Sequence, residues 1–388
     1  MIKRTLFNAD HAIFREQCRR FFEREVMPHH DAWEEQGMVS REVWKQAGQA
    51  GLLCPCIPEE YGGAGADFLY ATIVMEEQCF AGATGPGFSL HSDIIAPYIL
   101  HHGSEEQKQR WLPGMVSGDI ISAIAMSEPG AGSDLQGLQT TAVRDGDDYV
   151  INGQKTFISN GQLADVIIVV AKTDPSQGAR GTSLFIVEAD RPGFTRGRNL
   201  KKVGLKAQDT SELFFEDVRV PASNRIGHEG AGFFYLMQEL PQERLSIAIM
   251  AAAGTEAVLD LTIDYVKERQ AFGRSIAKFQ NTRFRIADLV TEMAATRAFL
   301  DRCIELHCQG ALDVGTAAAV KLWATESQGR IIDACVQLFG GYGFMWEYPV
   351  ARAFCDARVQ RIYGGTSEIM RELVSRAALD GDFRLRTP

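Results

Sequence analysis

The chain has 388 residues, 45% hydrophobic and 23% charged, which is typical of a globular protein with two or three domains. Its formal net charge of −10 argues against nucleic acid or an anionic membrane as the main partner, because those partners select basic surfaces. We find no apolar run of about 20 residues that would span a bilayer and no signal-peptide block at the start. We therefore expect a cytoplasmic protein.

The eight cysteines are scattered without the paired spacing of zinc ribbons or thioredoxins. We expect reduced, mostly buried thiols and no metal site. The histidine pairs at 29/30 and 101/102 have no matching carboxylate or cysteine constellation near them in the sequence. Structural or surface roles for these histidines are therefore favoured over metal binding.

The chain divides into three regions of different periodicity. Residues 1–119 are predicted to form an α-helical domain, with helices over 10–26, 40–50, 66–78, 91–101 and 104–115. In residues 120–232 the runs become short and rich in β-branched or aromatic residues, at 149–151, 166–171, 183–187 and 212–215, with glycine turns between them. Successive strands without intervening helices exclude a doubly wound sheet and predict an antiparallel β domain.

Residues 233–388 return to a helical pattern, with helices predicted over 239–270, 280–309, 313–339 and 366–378. The first three are each long enough to cross a whole bundle. The sequence therefore predicts an α+β fold with an N-terminal helical domain, a central antiparallel β domain and a C-terminal four-helix bundle.

The helix predicted over 239–270 is the one around which the chain is organised. From Leu245 to Ala253 only Ser246 is polar, and a helix that is apolar on every side is buried on every side. Pro241 suits a first turn, where an amide hydrogen has no helical partner. Glu243 follows in that turn, where a negative charge offsets the helix dipole. On position alone, that structural role is favoured for Glu243.

The motif inventory excludes several enzyme classes. No Gly-x-Gly-x-x-Gly follows a strand, no phosphate-binding loop is present, and no His-Glu-x-x-His lies on a helix. A spatial Ser/His/Asp arrangement stays possible. Four glycine-rich or turn-forming stretches remain, at 128–134, 157–161, 337–343 and 363–368. The first, third and fourth could present backbone amides to an anion or a polar ring edge, and in the second an aromatic side chain leaves the sheet beside a hydroxyl and a turn.

Together these stretches resemble the acyl-CoA dehydrogenases, and the resemblance covers essentially the whole chain. It is carried by Glu-Pro-Gly-Ala-Gly-Ser-Asp at 128–134, Arg-Gln-Ala-Phe-Gly at 269–273, Gln-Leu-Phe-Gly-Gly at 337–341 and Gly-Thr-Ser-Glu at 365–368. The likeness is closest to the long-chain members, in Glu-Leu-Pro-Gln-Glu-Arg-Leu at 239–245. The family implies tetrameric FAD enzymes that oxidise an acyl-CoA to the trans-2-enoyl thioester and pass electrons to electron-transferring flavoprotein.

The resemblance also relocates the expected catalytic base. The family usually carries its base after the tyrosine that matches Tyr363, and that residue is Gly364 here. A subset that includes the long-chain and isovaleryl enzymes places a glutamate before the arginine of the organising helix, and Glu243 before Arg244 matches it. The resemblance thus predicts Glu243 as general base, with the amide of Gly364 and a flavin ribityl hydroxyl binding the thioester oxygen.

The resemblance further predicts binding residues. We expect the FAD-binding residues to be Met126, Ser127, Gly132, Ser133, Phe157, Ser159, Arg269, Phe272, Phe279, Gln280, Gln337, Gly340, Gly341, Tyr363, Thr366 and Glu368, with the segment from Arg269 to Gln280 reaching the FAD of a neighbouring subunit. Without the family, a surface ion pair for Arg269 and ordinary core roles for Phe272 and Phe279 would be preferred.

Ser133, Gln242, Glu243, Arg244 and Gly365 match the family's substrate positions. Arg244 could equally be a structural ion-pair partner, and the lysines at 201, 202 and 206 fit a solvated hairpin better than a CoA phosphate site.

Three function classes remain. The first is a dehydrogenase for long- or medium-chain acyl-CoA, with a short branched-chain dehydrogenase as the variant. The second is an FAD acyl-CoA oxidase, and the third is a catalytically silent binding or assembly subunit.

Overall fold

The computed structural model describes residues 3–381, so residues 1–2 and 382–388, at the ends of the first and last predicted domains, lie outside the described part. The helices are α1 (Ala9–Phe21), α2 (Met27–Gln36), α3 (Arg41–Gln49), α4 (Phe68–Phe80), α5 (Ala96–His102), α6 (Glu105–Ser117), α7 (Gly232–Glu268), α8 (Gln280–Cys308), α9 (Val314–Phe339), α10 (Pro349–Ala357) and α11 (Ser367–Leu379). Two π-helical segments, Phe22–Val26 and Leu90–Ile95, lead into α2 and α5. The helical first and last thirds confirm the predicted fold class.

The central region is a twisted sheet. Its strands are β1 (Ser122–Ala125), β2 (Thr141–Asp145), β3 (Asp148–Ser159), β4 (Val166–Lys172), β5 (Thr182–Glu188), β6 (Phe194–Asn199), β7 (Thr210–Pro221) and β8 (Arg225–Ile226), and a separate hairpin pairs β9 (Gln270–Ala271) with β10 (Arg274–Ser275). The sheet order is β6-β7-β3-β2-β4-β5-β8, with β1 also paired to β4. Most pairs are antiparallel, but β1 and β2 run parallel to β4. The sheet is therefore mixed, because β4 lies beside two strands that occur earlier in the chain and runs in the same direction as they do.

Helix α7 differs from its prediction at the start. It begins at Gly232, so Pro241 and Glu243 lie inside the helix and not in its first turn. Proline removes one helical hydrogen bond, yet the helix continues through Pro241. The dipole explanation for Glu243 is therefore wrong, since the unpaired amides lie within the first turn of a helix.

The core of the last third is built on the apolar stretch of α7. Leu245, Ala248 and Ile249 share one cluster with Met75 of α4 and with apolar residues of α8 and α9 such as Leu300. This helix is also long and apolar enough to cross a bilayer, but 61% of its most apolar stretch is buried inside the protein. Burial of this kind marks a core helix. All eight cysteines are free thiols, and four of them rather than most are buried, namely Cys18, Cys54, Cys303 and Cys335.

Candidate functional site

Glu243 is a buried carboxyl group with one hydrogen-bond donor. Its residue is 5% exposed, and the hydroxyl of Tyr98 on α5 donates to Oε1 over 2.7 Å. Burial raises the pKa of Glu243 to about 7, although the hydrogen bond from Tyr98 and the charge of Arg244 act to lower it. A carboxyl group that titrates near neutral pH can serve as a general base.

A second carboxylate lies one helical turn before Glu243. His101 Nδ1 and His102 Nε2 lie 2.9 Å and 2.8 Å from Oε1 of Glu239. Burial acts to raise the pKa of Glu239, but these hydrogen bonds lower it to about 2. His101 and His102 thus both contact the carboxylate of Glu239. No group of three or more metal-binding side chains occurs within residues 3–381.

Arg244 is buried beside Glu243 without an ion-pair partner. It is 5% exposed, no carboxylate in the described chain lies within 4.0 Å of it, and its Nε has no hydrogen-bond partner there. Burial lowers the pKa of Arg244, and the charge of Glu243 counteracts this. The ion-pair alternative therefore has no partner in the described residues, and the guanidinium retains a free donor.

The loop that holds Gly364 lies against the same face of α7 as Glu243. A Cβ atom built on Gly364 would lie 2.3 Å from Cδ1 of Ile247, one turn after Glu243. Lys321 of α9 donates from Nζ to the carbonyl of Gly365 over 2.7 Å. Burial lowers the pKa of Lys321 to about 8, and the nearby charge of Arg244 lowers it further. The hydrogen bond from Lys321 anchors the loop to α9, and a side chain at position 364 would require Ile247 to move.

The stretch 128–134 is anchored by its first residue. The carboxylate of Glu128 accepts from the backbone amides of Gln139 and Thr140 and from Nζ of buried Lys155, the last over 2.8 Å. Lys155 also donates to the carbonyl of Met126. The exposed turn beyond, which includes Gly132, therefore stands on a fixed base, and a Cβ atom on Gly132 would meet no atom within 4 Å.

The predicted FAD-binding residues of the β domain lie on adjacent strand ends. The amide of Thr156 donates to the carbonyl of Ser127, which places the end of β1 beside Phe157 and Ser159 of β3. Phe157 is 69% exposed and has a φ of 60°, a strained backbone for a phenylalanine. Exposed Ser133 lies beyond the same strand end. The structure therefore holds the ring of Phe157 outward beside Ser127, Ser133 and Ser159, and we call this group of residues the polar rim.

A hydrophobic cluster joins this rim to α5 and α7. It includes Tyr98, Ala131 and Leu236, with Met126 packed against it. On α7, the side chain of Gln242 donates to the backbone carbonyl of Asp93 in the π-helical segment. The rim, Gln242 and Glu243 thus belong to one packed region.

The other predicted residues form a second group at the opposite end of α7. The guanidinium of Arg269 lies 5.5 Å from the ring of Tyr342, which follows Gly340 and Gly341, and Gln337 lies exposed on the last turn of α9. Phe272 is 94% exposed and meets Phe279 edge-on, so a core role for Phe272 is excluded. Gln280 begins α8 and is exposed.

The last motif forms the start of α11. Thr366 caps this helix by accepting from the amide of Ile369, and Glu368 is exposed in its first turn. Tyr363 precedes the two glycines, and burial raises the pKa of its hydroxyl.

Sequence reasoning missed Tyr98, Glu239 and Lys321 as neighbours of the site. A partial signal existed for Glu239, which precedes Glu243 by one helical turn and therefore shares its face. Tyr98 and Lys321 come from helices far away in the sequence, and no local pattern indicates their contacts.

Comparison with known proteins gives a consistent result. Residues 8–119, 123–218 and 230–379 match the N-terminal, middle and C-terminal domains of the acyl-CoA dehydrogenases. The chain is 55% identical to the mitochondrial long-chain specific acyl-CoA dehydrogenase of Sus scrofa over 96% of this chain and 87% of that protein. It superposes on the crystal structure of an acyl-CoA dehydrogenase from Geobacillus kaustophilus with a TM-score of 0.96 and 49% identity, over 97% of this chain and 100% of that one.

A third similar protein carries a bound flavin. The glutaryl-CoA dehydrogenase of Mycobacterium smegmatis in complex with FADH2 superposes with a TM-score of 0.90 and 29% identity, over 98% of this chain and 97% of that one.

Proposed function

The chain belongs to the acyl-CoA dehydrogenase family and is an FAD-dependent oxidoreductase, and on that premise we propose that Glu243 is its general base and long- or medium-chain acyl-CoA its substrate. One observation carries the proposal for Glu243. This carboxyl group is buried, has no cation paired with it within 4.0 Å in the described residues, and lies on the helix face that packs against Gly364. A structural carboxylate with these surroundings would lack the partners that normally compensate burial.

The exposed residues suit FAD. Phe157 holds an aromatic ring outward from a strained backbone, as expected where a flat ring stacks. Cβ atoms built on Gly132, Gly340 and Gly341 would meet open space, which permits a phosphate or ring to approach the backbone. We propose that FAD is held by Met126, Ser127, Gly132, Ser133, Phe157, Ser159, Gln337, Gly340, Gly341, Tyr363, Thr366 and Glu368.

Chemically, Glu243 must remove the α-hydrogen of the thioester as a proton. When bound, FAD supplies the acceptor for the β-hydride. The proton passes to a carboxylate oxygen of Glu243, whose pKa near 7 makes it a stronger base than an exposed glutamate. The amide of Gly364 is proposed to donate to the thioester oxygen and to stabilise the negative charge that develops there. This role requires only the backbone, so the glycine retains it.

Four further residues are proposed to bind the thioester. They are Ser133, Gln242, Arg244 and Gly365. The unpartnered Nε of buried Arg244 supports a ligand role, because a guanidinium normally satisfies its donors. The identity to the long-chain enzyme supports a long or medium acyl chain.

We further propose a homotetramer that passes electrons to electron-transferring flavoprotein in the cytoplasm. The support for assembly is the exposure of two large aromatic side chains in the last third of the chain, Phe272 and Phe344, which are 94% and 85% exposed. Surfaces of this kind mark contacts with other molecules. In the tetramer, Arg269, Phe272, Phe279 and Gln280 would reach the FAD of a neighbouring subunit. Size-exclusion chromatography with light scattering tests the assembly.

Anaerobic titration of the purified yellow protein with straight acyl-CoAs of increasing length, and with isovaleryl-CoA, tests the reaction. We expect the flavin absorption band to bleach, with the highest kcat/KM for long or medium straight chains. Preference for isovaleryl-CoA would overturn the chain-length proposal. Fast reoxidation by oxygen in place of electron-transferring flavoprotein would indicate an oxidase. A band that no acyl-CoA bleaches would indicate a silent subunit.

A further inference from the structure

One face of α5 meets both carboxylates of α7. Tyr98, His101 and His102 follow one another at helical spacing, and they contact Glu243 and Glu239, which are four residues apart. The two sets of contacts differ in kind. Glu239 interacts with two imidazoles that can carry a positive charge, whereas Glu243 accepts one neutral hydroxyl hydrogen bond.

The side chain of Tyr98 is held in place by its surroundings. It is completely buried, its ring packs within the cluster that includes Ile94, Ala131 and Leu236, and its hydroxyl donates only to Glu243 among the described residues. A buried tyrosine hydroxyl requires a partner. Here the partner is the carboxyl group that the proposed function names as the base.

We propose that Tyr98 is a positioning residue for the reaction: its hydroxyl fixes the orientation of the Glu243 carboxyl group and stabilises the ionised form that accepts the α-proton. The proposal rests on the proposed function of Glu243 and adds a residue outside the family motifs quoted above. The hydroxyl occupies one lone pair of Oε1, so the other oxygen is left to receive the proton. Proton transfer then converts the charged hydrogen bond into a weaker neutral one.

Other charges also act on Glu243. The charge of Arg244 lowers its pKa and that of Glu239 raises it. His101 and His102 act through Glu239. Lys321 of α9 lies near Arg244, and Asp93 of the π-helical segment contacts α7 through Gln242. Tyr98 differs from all of these because it is the only one that donates a hydrogen bond to Glu243 within residues 3–381.

The test is Tyr98→Phe in the FAD-loaded enzyme, because this change removes only the hydroxyl and keeps the ring. A hydrogen bond to a charged group contributes about 1.5–3 kcal/mol, so its loss corresponds to an upward shift of about 1–2 pH units in the titration of Glu243. We expect the acid limb of the kcat/KM profile to move up by that amount. At pH values below the midpoint of this limb, we also expect kcat of Tyr98→Phe to be lower than that of wild type, while KM changes little.

A second measurement reports on the carboxyl group without turnover. Infrared difference spectra of enzyme minus Glu243→Gln, recorded through the same pH range, isolate the carboxyl stretch of Glu243. The pH midpoint of this carboxyl titration should rise in Tyr98→Phe by the same amount as the midpoint of the acid limb of kcat/KM. Tyr61→Phe is the matched control, because Tyr61 donates to Glu105 over 2.9 Å, and both midpoints should equal those of wild type.

The possible failures are distinguishable. If Glu243→Gln keeps wild-type turnover, Glu243 is not the base, and both the proposed function of Glu243 and the role of Tyr98 are overturned. If Glu243→Gln is inactive but Tyr98→Phe leaves both midpoints at wild-type values, only the positioning role is overturned. A purely structural role would lower stability or FAD content in Tyr98→Phe without moving either midpoint.

Discussion

Two glutamates of this chain are buried to a similar extent and have opposite electrostatic properties. The side chain of Glu76 on α4 is fully buried and forms ion pairs with Arg4, Arg15 and Arg297, at 2.8, 2.7 and 2.9 Å. Burial acts to raise the pKa of Glu76, but the three guanidinium groups lower it overall. Among residues 3–381, the carboxyl group of Glu243 accepts a side-chain hydrogen bond from Tyr98 alone, and burial raises its pKa to about 7.

The difference shows that partners, not burial alone, decide whether the pKa of a buried carboxyl group is lowered or raised. Glu76 joins three elements of the helical domains, because its arginines come from the N-terminal segment, α1 and α8. It is ionised throughout the neutral range and cannot accept a proton there. Glu243 can exchange a proton near neutral pH. The following variants test this contrast.

The largest effect is expected for Glu243→Gln. Loss of a general base lowers rates by about 10²–10⁴-fold, and we expect kcat to fall within that range while FAD content and the thermal midpoint are retained. Stopped-flow reduction of the flavin by acyl-CoA measures the chemical step directly. Turnover near the wild-type value would contradict the assignment of Glu243 as the base.

Glu76→Gln should show the opposite pattern. Removing one partner of a buried ion pair costs about 3–5 kcal/mol, so the denaturation midpoint should fall strongly while kcat per bound FAD stays near wild type. Because the pKa of Glu76 is lowered in the folded protein, its stabilisation is present above the unfolded pKa and is lost as pH falls through the folded value. The stability difference between wild type and Glu76→Gln should therefore shrink in acid. A loss of kcat equal to that of Glu243→Gln would remove the contrast.

Asp93 provides an intermediate case. It lies in the π-helical segment Leu90–Ile95, where burial raises its pKa to about 7 although Ser89 acts to lower it. No ion pair of Asp93 occurs within the part of the chain that the structure describes. The folded pKa exceeds the unfolded value, so the stability that protonation contributes is present below the unfolded pKa of 3.8 and is lost up to about pH 7. Asp93→Asn should thus gain stability relative to wild type over this range, by about 2–4 kcal/mol.

Denaturation midpoints of Asp93→Asn and wild type, measured from about pH 4 to pH 8, check this prediction. The difference should widen up to neutral pH and then become constant. A constant difference throughout this pH range would contradict a raised pKa of Asp93.

The sequence predicted the three regions and the long helices because their signals are local. Hydrophobic period, caps and glycine turns lie within a few residues of one another. The predicted start of α7 was wrong. Pro241 is a local signal for the first turn of a helix, and tertiary burial overrides that signal here. The parallel pairing of β1 with β4 was also missed, since register between distant strands leaves no local pattern.

The candidate site was predictable only in part. The motif residues could be identified one by one, and the position of Glu243 before Arg244 indicated a base. Two features distinguish Glu243: no cation is paired with it among the described residues, and it accepts a hydrogen bond from Tyr98, which lies 145 residues away in the sequence. Such contacts are set by helix packing, so only the structure distinguishes Glu243 from Glu76.

The smallest effect is expected when the base is moved to position 364. In a Glu243→Gln background, Gly364→Glu alone should restore little activity, because its Cβ would lie 2.3 Å from Cδ1 of Ile247 and the backbone φ is 62°. Adding Ile247→Ala removes the clashing atom, and we expect kcat to rise by about 10-fold over the Glu243→Gln parent, well below wild type. The residual strain of a positive φ, about 1–3 kcal/mol, limits the recovery.

The control is Glu243→Gln with Ile247→Ala and the native Gly364, which enlarges the pocket without supplying a base and should stay inactive. Stopped-flow flavin reduction again measures the chemical step. Equal recovery with and without Ile247→Ala would show that the side chain of Ile247 moves aside without cost, and no recovery in the triple variant would show that a carboxylate at position 364 cannot reach the α-hydrogen. Recovery that requires both changes would establish that Ile247 excludes a base from the loop, so that in this chain only α7 can supply one.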